Sequence, residues 1–165
     1  MFHFLRTHPE HTSRICDAII DIFKKNLLNE RITYPLLNFL SLLISSGTID
    51  SVVLDTNSRF SGELLNLVKL EIKGHKKLYK LVSSISVFCQ LIKVSFFLGN
   101  PQFSSLPKRI SFQVPQLSSK ILTNLSLFLG LTHVHVRKCT ATKLYEALIL
   151  YGDECGIPEE NLDEV

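Results

Sequence analysis

The feature that most constrains this chain is the run from residue 125 to 154, LSLFLGLTHVHVRKCTATKLYEALILYGDE. An apolar helical stretch ends at Gly130, a short turn follows, and Val136-Arg137 opens a second helical stretch. A helix with one apolar stripe must bury that stripe against another element, and two such helices joined by a short turn bury theirs by stacking on further pairs. A chain written this way folds as packed helices.

The same grammar recurs upstream. Residues 11–25 carry Ile15, Ile19, Ile22 and Phe23 at helical spacing, with Lys24 and Lys25 at the carboxyl end, where cations suit the helix dipole. A second helix is predicted over residues 33–46, with Thr33 as its cap and Pro35 in its first turn. Its apolar face is Leu36, Leu37, Leu40, Leu43 and Ile44, and Gly47 supplies a left-handed stop. These two helices read as one antiparallel repeat unit. After a short stretch at residues 49–54, Asn57 or Ser58 can cap a third helix through Lys73, with Leu64, Leu67, Val68 and Ile72 inward and Gly74 ending it. Residues 76–93 form the fourth helix, and 117–129 with 136–151 form the last pair, inside which Leu144 reads as core. Pro158 opens a short terminal helix. Helix pairs repeating at about 40 residues are the pattern of a HEAT or armadillo-like solenoid. The expected fold is therefore all-α, a helical-repeat solenoid fragment, with residues 1–165 one repeat domain. Residues 94–113, rich in Gly, Pro and Ser, read as an irregular insertion.

Composition narrows the function classes. The chain has 165 residues, 45% of them hydrophobic, so it can bury a core and is not disordered as a whole. A net charge of +3 without a dense basic face argues against nucleic acid. No uncharged apolar run reaches the ~18 residues of a membrane span, and the first residues lack the pattern of a signal peptide. The four cysteines, Cys16, Cys89, Cys139 and Cys155, are scattered through helical pattern and read as reduced apolar residues. No phosphate-binding Gly loop or Ser elbow is present, so no catalytic residue and no cofactor is assigned.

Particular wording then points to a family. Val136-Arg137-Lys138, Thr140-Ala141, Leu144-Tyr145-Glu146 and Leu148, the acidic tail at residues 161–165, and Ser84-Ile85-Ser86-Val87-Phe88-Cys89 follow one another in the order of a known helical-repeat family. The chain resembles the C-terminal region of tubulin-folding cofactor D, the tubulin-specific chaperone D. The wording covers roughly the last half of the chain; the first half fits as a leucine-rich helical array. The resemblance implies a chaperone that binds β-tubulin and takes part in post-chaperonin folding and in assembling and dismantling the αβ-tubulin heterodimer. It implies cooperation with cofactors C and E and an Arf-like small GTPase, and stimulation of GTP hydrolysis by tubulin without a catalytic site of its own. It also implies a cytoplasmic location, including microtubules or centrosomes. The alternative is a generic HEAT-type scaffold unrelated to tubulin; a small helical enzyme would need a pocket of convergent polar groups.

Three departures stand out. The chain is much shorter than a full cofactor D, and both ends read as cut. The turn before Val136 has Leu131 and Val134 where a typical HEAT turn carries Asp and Pro. Residues 94–113 interrupt two helices that the family joins almost directly. Val94-Ser95 can be encoded as a splice donor and Phe112-Gln113 as an acceptor, which would make the segment a translated intron.

Two basic groups are candidate partner-binding residues: Lys73, Lys76 and Lys77, which could meet an acidic surface of tubulin, and Arg137, Lys138 and Lys143. The competing readings are a solvated turn for the first and a structural role for the second. Arg137 and Lys138 lie in a helix's first turn, where a cation needs an offsetting carboxylate or partner. His133 and His135 lack the further donors a metal site needs.

Overall fold

A computed structural model describes residues 9–55, 58–74, 77–99 and 114–151. All regular elements among them are helices: α1 (Pro9–Lys25), α2 (Glu30–Ser45), α3 (Asp50–Leu54), α4 (Phe60–Ile72), α5 (Leu78–Gly99), α6 (Val114–Leu129) and α7 (Val134–Tyr151).

The helices form two layers. α1, α4 and α6 lie in one, each against the next; α2, α5 and α7 lie in the other in the same manner. Pairs α4–α5 and α6–α7 pack across the layers, as in stacked helical repeats. The first pair departs from the expected unit: α1 rests mainly on α3 and α4 while α2 rests on α5. The layers, more than the hairpin, hold these two helices. α3 is a single turn whose Val52, Val53 and Leu54 are all buried. It is tied to α4 by the Ser61 hydroxyl, which donates to the Val53 carbonyl at 2.8 Å.

α5 is the centre, packed on α2, α3, α4, α6 and α7. Its surroundings explain its composition: Ile85, Val87, Phe88, Leu91 and Ile92 are all fully buried, because several of its faces meet other helices. The window Leu78–Ser95 is long and apolar enough to cross a membrane by length and composition alone, and it is 67% buried within the protein. Phe88 meets Phe128 of α6 at 6.0 Å between ring centroids, tilted by 52°.

Several boundaries differ from the sequence reading. α2 starts at Glu30, so Thr33 is inside the helix, where its hydroxyl, instead of capping, lies 3.0 Å from the Asn29 carbonyl and shares its one proton between that carbonyl and Glu71. Pro35 therefore falls in the second turn and removes one interior hydrogen bond, with its ring exposed. Ser58, not the helix's adjacent residue, receives the Phe60 N–H at 3.2 Å; Asn57 lies outside the described residues. Gly47 and Gly74 end their helices at φ 67° and 76°, the left-handed region open to glycine. The largest difference is at α5, which continues to Gly99 through the start of the segment read as irregular. Val94 and Ser95 are buried, and the Ser118 hydroxyl of α6 donates to the Ser95 oxygen at 3.0 Å, so packing on α6 continues the helix past Lys93. Residues 100–113, and the terminal helix expected after Pro158, lie outside the described residues. On α7 Val136, Thr140 and Ala147 are buried, while Leu144 is half-buried and packs against the core.

Candidate interaction surfaces and a buried polar node

The apolar stripe of α4 runs Leu64, Leu67, Val68 and then Glu71, which is fully buried. A buried carboxylate requires partners. Glu71 is ion-paired with Lys80 of α5, itself fully buried. Its Oε1 accepts the Thr33 hydroxyl at 2.5 Å, and its Oε2 accepts the Leu28 N–H at 2.7 Å. Leu28 holds φ 66°, an unfavourable angle for a branched side chain, and this bond to Glu71 is what the turn gains there. One carboxylate thus ties the α1–α2 turn, α2, α4 and α5 together. The sequence reading missed it. The signal was present at Glu71, which continues the apolar stripe of Leu64, Leu67 and Val68, where a charge is anomalous.

Beside this node lies an exposed one. Glu30 Oε2 accepts Lys77 Nζ at 2.5 Å and the Tyr79 hydroxyl at 2.9 Å. Tyr79 in turn stands edge-on to Tyr34, with ring centroids 4.9 Å apart. The Lys77 hydrogen bond, followed by that of Tyr79, holds the Glu30 carboxyl below the usual carboxylate range. The same bond raises Lys77, and the contact with Glu30 raises Tyr79.

The candidate cations therefore divide. Lys77 is engaged by Glu30. Lys73 is exposed at the end of α4, and Lys76 lies outside the described residues. Arg137 Nη1 donates to the carbonyls of Leu131 at 2.8 Å and Thr132 at 3.1 Å. Among the described residues, the offset that its position demanded is supplied by carbonyls of the α6–α7 turn, at the negative end of α6. Arg137 so replaces the absent Asp and Pro as the element that shapes this turn. Lys138 is exposed and Lys143 half-buried on α7. His133 and His135 are both exposed, and among the described residues no three His, Cys, Asp or Glu are grouped to hold a metal. Burial pushes the thiols of Cys16 and Cys89 up to about 12 and about 11.

The α4–α5 and α6–α7 turns lie side by side. Between them a cavity of about 680 Å³ opens, floored by Ile72, Leu81, Leu127, Phe128 and Leu131 and edged by Lys69 and Lys73.

Residues 1–80 match the family described as tubulin folding cofactor D C terminal. The relationship is to the C-terminal region of tubulin folding cofactor D. The match holds the whole buried node, from Leu28 to Lys80, and it falls on the half of the chain whose wording was the less specific. The blocks at residues 84–89 and 136–148 lie beyond it. No solved structure matches this chain. The two-layer stack is that of an all-α helical-repeat fragment, and over residues 1–80 the chain is similar to the tubulin folding cofactor D C-terminal family.

Proposed function

We propose that this chain acts as part of a tubulin-folding cofactor of the D type, binding β-tubulin without covalent chemistry during post-chaperonin folding and during assembly and disassembly of the αβ heterodimer. The observation that carries this reading is the cofactor D C-terminal match over residues 1–80, joined to a stack of helices whose outer turns are open for contact. Stacked repeats bury their apolar faces against one another and leave a long outer surface for a protein partner. In this reading cofactors C and E and an Arf-like GTPase act in the same assembly, and stimulated GTP hydrolysis takes place on tubulin. The chain works in the cytoplasm, at microtubules or centrosomes. The contact candidates are Lys73, Lys76, Lys77, Arg137, Lys138 and Lys143, of which Lys77 and Arg137 also make contacts within the fold. Capture of purified β-tubulin by the immobilised chain tests the proposal. Saturable retention that falls with rising salt is expected, since exposed charge pairs are screened. Retention of β-tubulin no greater than that of an unrelated acidic protein would favour a general helical scaffold instead.

A further inference from the structure

The cavity between the α4–α5 and α6–α7 turns combines features that one kind of ligand fits. Its floor is apolar. Leu81 and Phe128 are buried at its base, while Leu127 stands 65% exposed on the adjoining turn of α6. Leu127 therefore leaves apolar surface in water at the rim of this floor, where an apolar side chain of a partner can be buried. The volume, about 680 Å³, holds a few side chains of a polypeptide.

The edge is cationic. Lys69 and Lys73 stand on the last turn of α4 and its cap, both exposed, and neither is in an ion pair among the described residues. Among the described residues no carboxylate lines the cavity. Glu71, one residue from Ile72, points into the buried node and is neutralised there by Lys80. The asymmetry extends through the chain: between Glu71 and Glu146 the sequence has no Asp or Glu, while Lys and Arg occur eleven times. α6 and the α6–α7 turn, which form one wall, therefore offer no negative charge. The modest net charge of the whole chain conceals this, because acids are concentrated on either side of that stretch.

We propose that this groove docks an acidic polypeptide segment carrying a bulky apolar anchor, the anchor on the Leu127–Phe128–Leu131 floor and the carboxylates against Lys69 and Lys73. Opposite charge speeds encounter and fixes register, while burial of the anchor supplies the holding energy. A nucleic acid fits less well, since single strands are held by several aromatic faces along a basic track, whereas here Phe128 is 3% exposed and His133 is the one exposed ring among the described lining residues. The inference rests on the chemistry of the groove and holds for whichever protein supplies the segment, so it goes beyond the tubulin reading.

The test uses the full chain and a fluorescein-labelled synthetic peptide of glutamates flanking two leucines four positions apart, read by anisotropy. Saturable binding is expected, weakened by about tenfold or more when the leucines become serines, when the glutamates become lysines, or when salt is raised. Leu127→Asp and the pair Lys69→Glu with Lys73→Glu should each cause a loss of similar size, with helicity checked by circular dichroism. Lys25→Glu, on α1, should leave binding unchanged. The proposal is overturned if the wild-type chain does not bind the peptide, or if both groove variants bind it as wild type does. It is also overturned if oligo-dT or phosphatidylserine vesicles bind the groove more tightly than the peptide, judged by competition and by loss in the same variants.

Discussion

The α4–α5 and α6–α7 junctions are built at the same level of the stack but closed by opposite chemistry. At the first, a fully buried Glu71 meets a fully buried Lys80, with Thr33 and the Leu28 N–H completing the carboxylate. At the second, Arg137 lies near the surface and donates to two turn carbonyls, while the interior beside it is apolar, with Phe128 of α6 and Val136 of α7 both buried. A buried ion pair is intolerant of losing one member, because the survivor is left charged in a medium of low polarity. A cation on carbonyls at a helix end is tolerant, because water replaces the lost bonds. Two repeats with the same architecture should thus differ sharply in how they respond to single polar substitutions.

The largest effect should come from splitting the buried pair. Lys80→Met alone, or Glu71→Leu alone, should destabilise by about 3 to 5 kcal/mol in urea unfolding. Combining both should recover most of that loss, since neither charge then remains unpaired. Additive losses in the double variant would show that the two residues do not act as a pair.

In the second junction the apolar core carries the load. Phe128→Ala should cost about 3 to 5 kcal/mol, and half-buried Leu144→Ala only about 1 kcal/mol. A larger loss at Leu144 than at Phe128 would reverse the assignment of the inward face of α7. Arg137→Ala should cost about 1 kcal/mol, well below either member of the buried pair. A loss equal to that of Lys80→Met would erase the contrast between the junctions.

The smallest effect belongs to the exposed Glu30, Lys77 and Tyr79 cluster. The folded carboxyl of Glu30 titrates below its ordinary value, so its contribution is present above the unfolded carboxylate range and is lost as pH falls through the lowered folded value. Lys77 and Tyr79 are raised, so their contributions are present below their ordinary values and are lost as pH rises through the raised ones. Glu30→Gln should therefore lower the thermal midpoint slightly near neutral pH and have no effect once Glu30 is protonated. NMR titration of the Glu30 carboxyl at or above the ordinary Glu value would contradict the geometry.

Much of this architecture was legible because it depends on local rules. Helix positions followed from apolar spacing, and Gly47 and Gly74 marked two helix ends through their conformational freedom. The start of α2 was less legible: Thr33 reads as a cap, yet its hydroxyl is engaged by Glu71, which is remote in sequence. The extent of α5 was misread for a similar reason. Ser95 and Val94 look like the edge of a loop until α6 is placed against them. The candidate basic residues were visible as charges, but their roles were not, since Lys77 and Arg137 have partners supplied by the fold.

By itself, the amino-acid sequence determined an all-α repeat architecture, because helical periodicity survives without knowledge of neighbours, and it carries the match to the cofactor D C-terminal family over residues 1–80. Only the tertiary structure decided what each charge sits beside. Glu71 and Lys80 are buried against each other, Lys77 pairs with Glu30 at the surface, Arg137 meets turn carbonyls, and Lys69 and Lys73 edge an apolar groove. The physical reason is that a charge's role depends on its solvation and on partners within a few ångströms, and folding sets both by joining residues far apart along the chain.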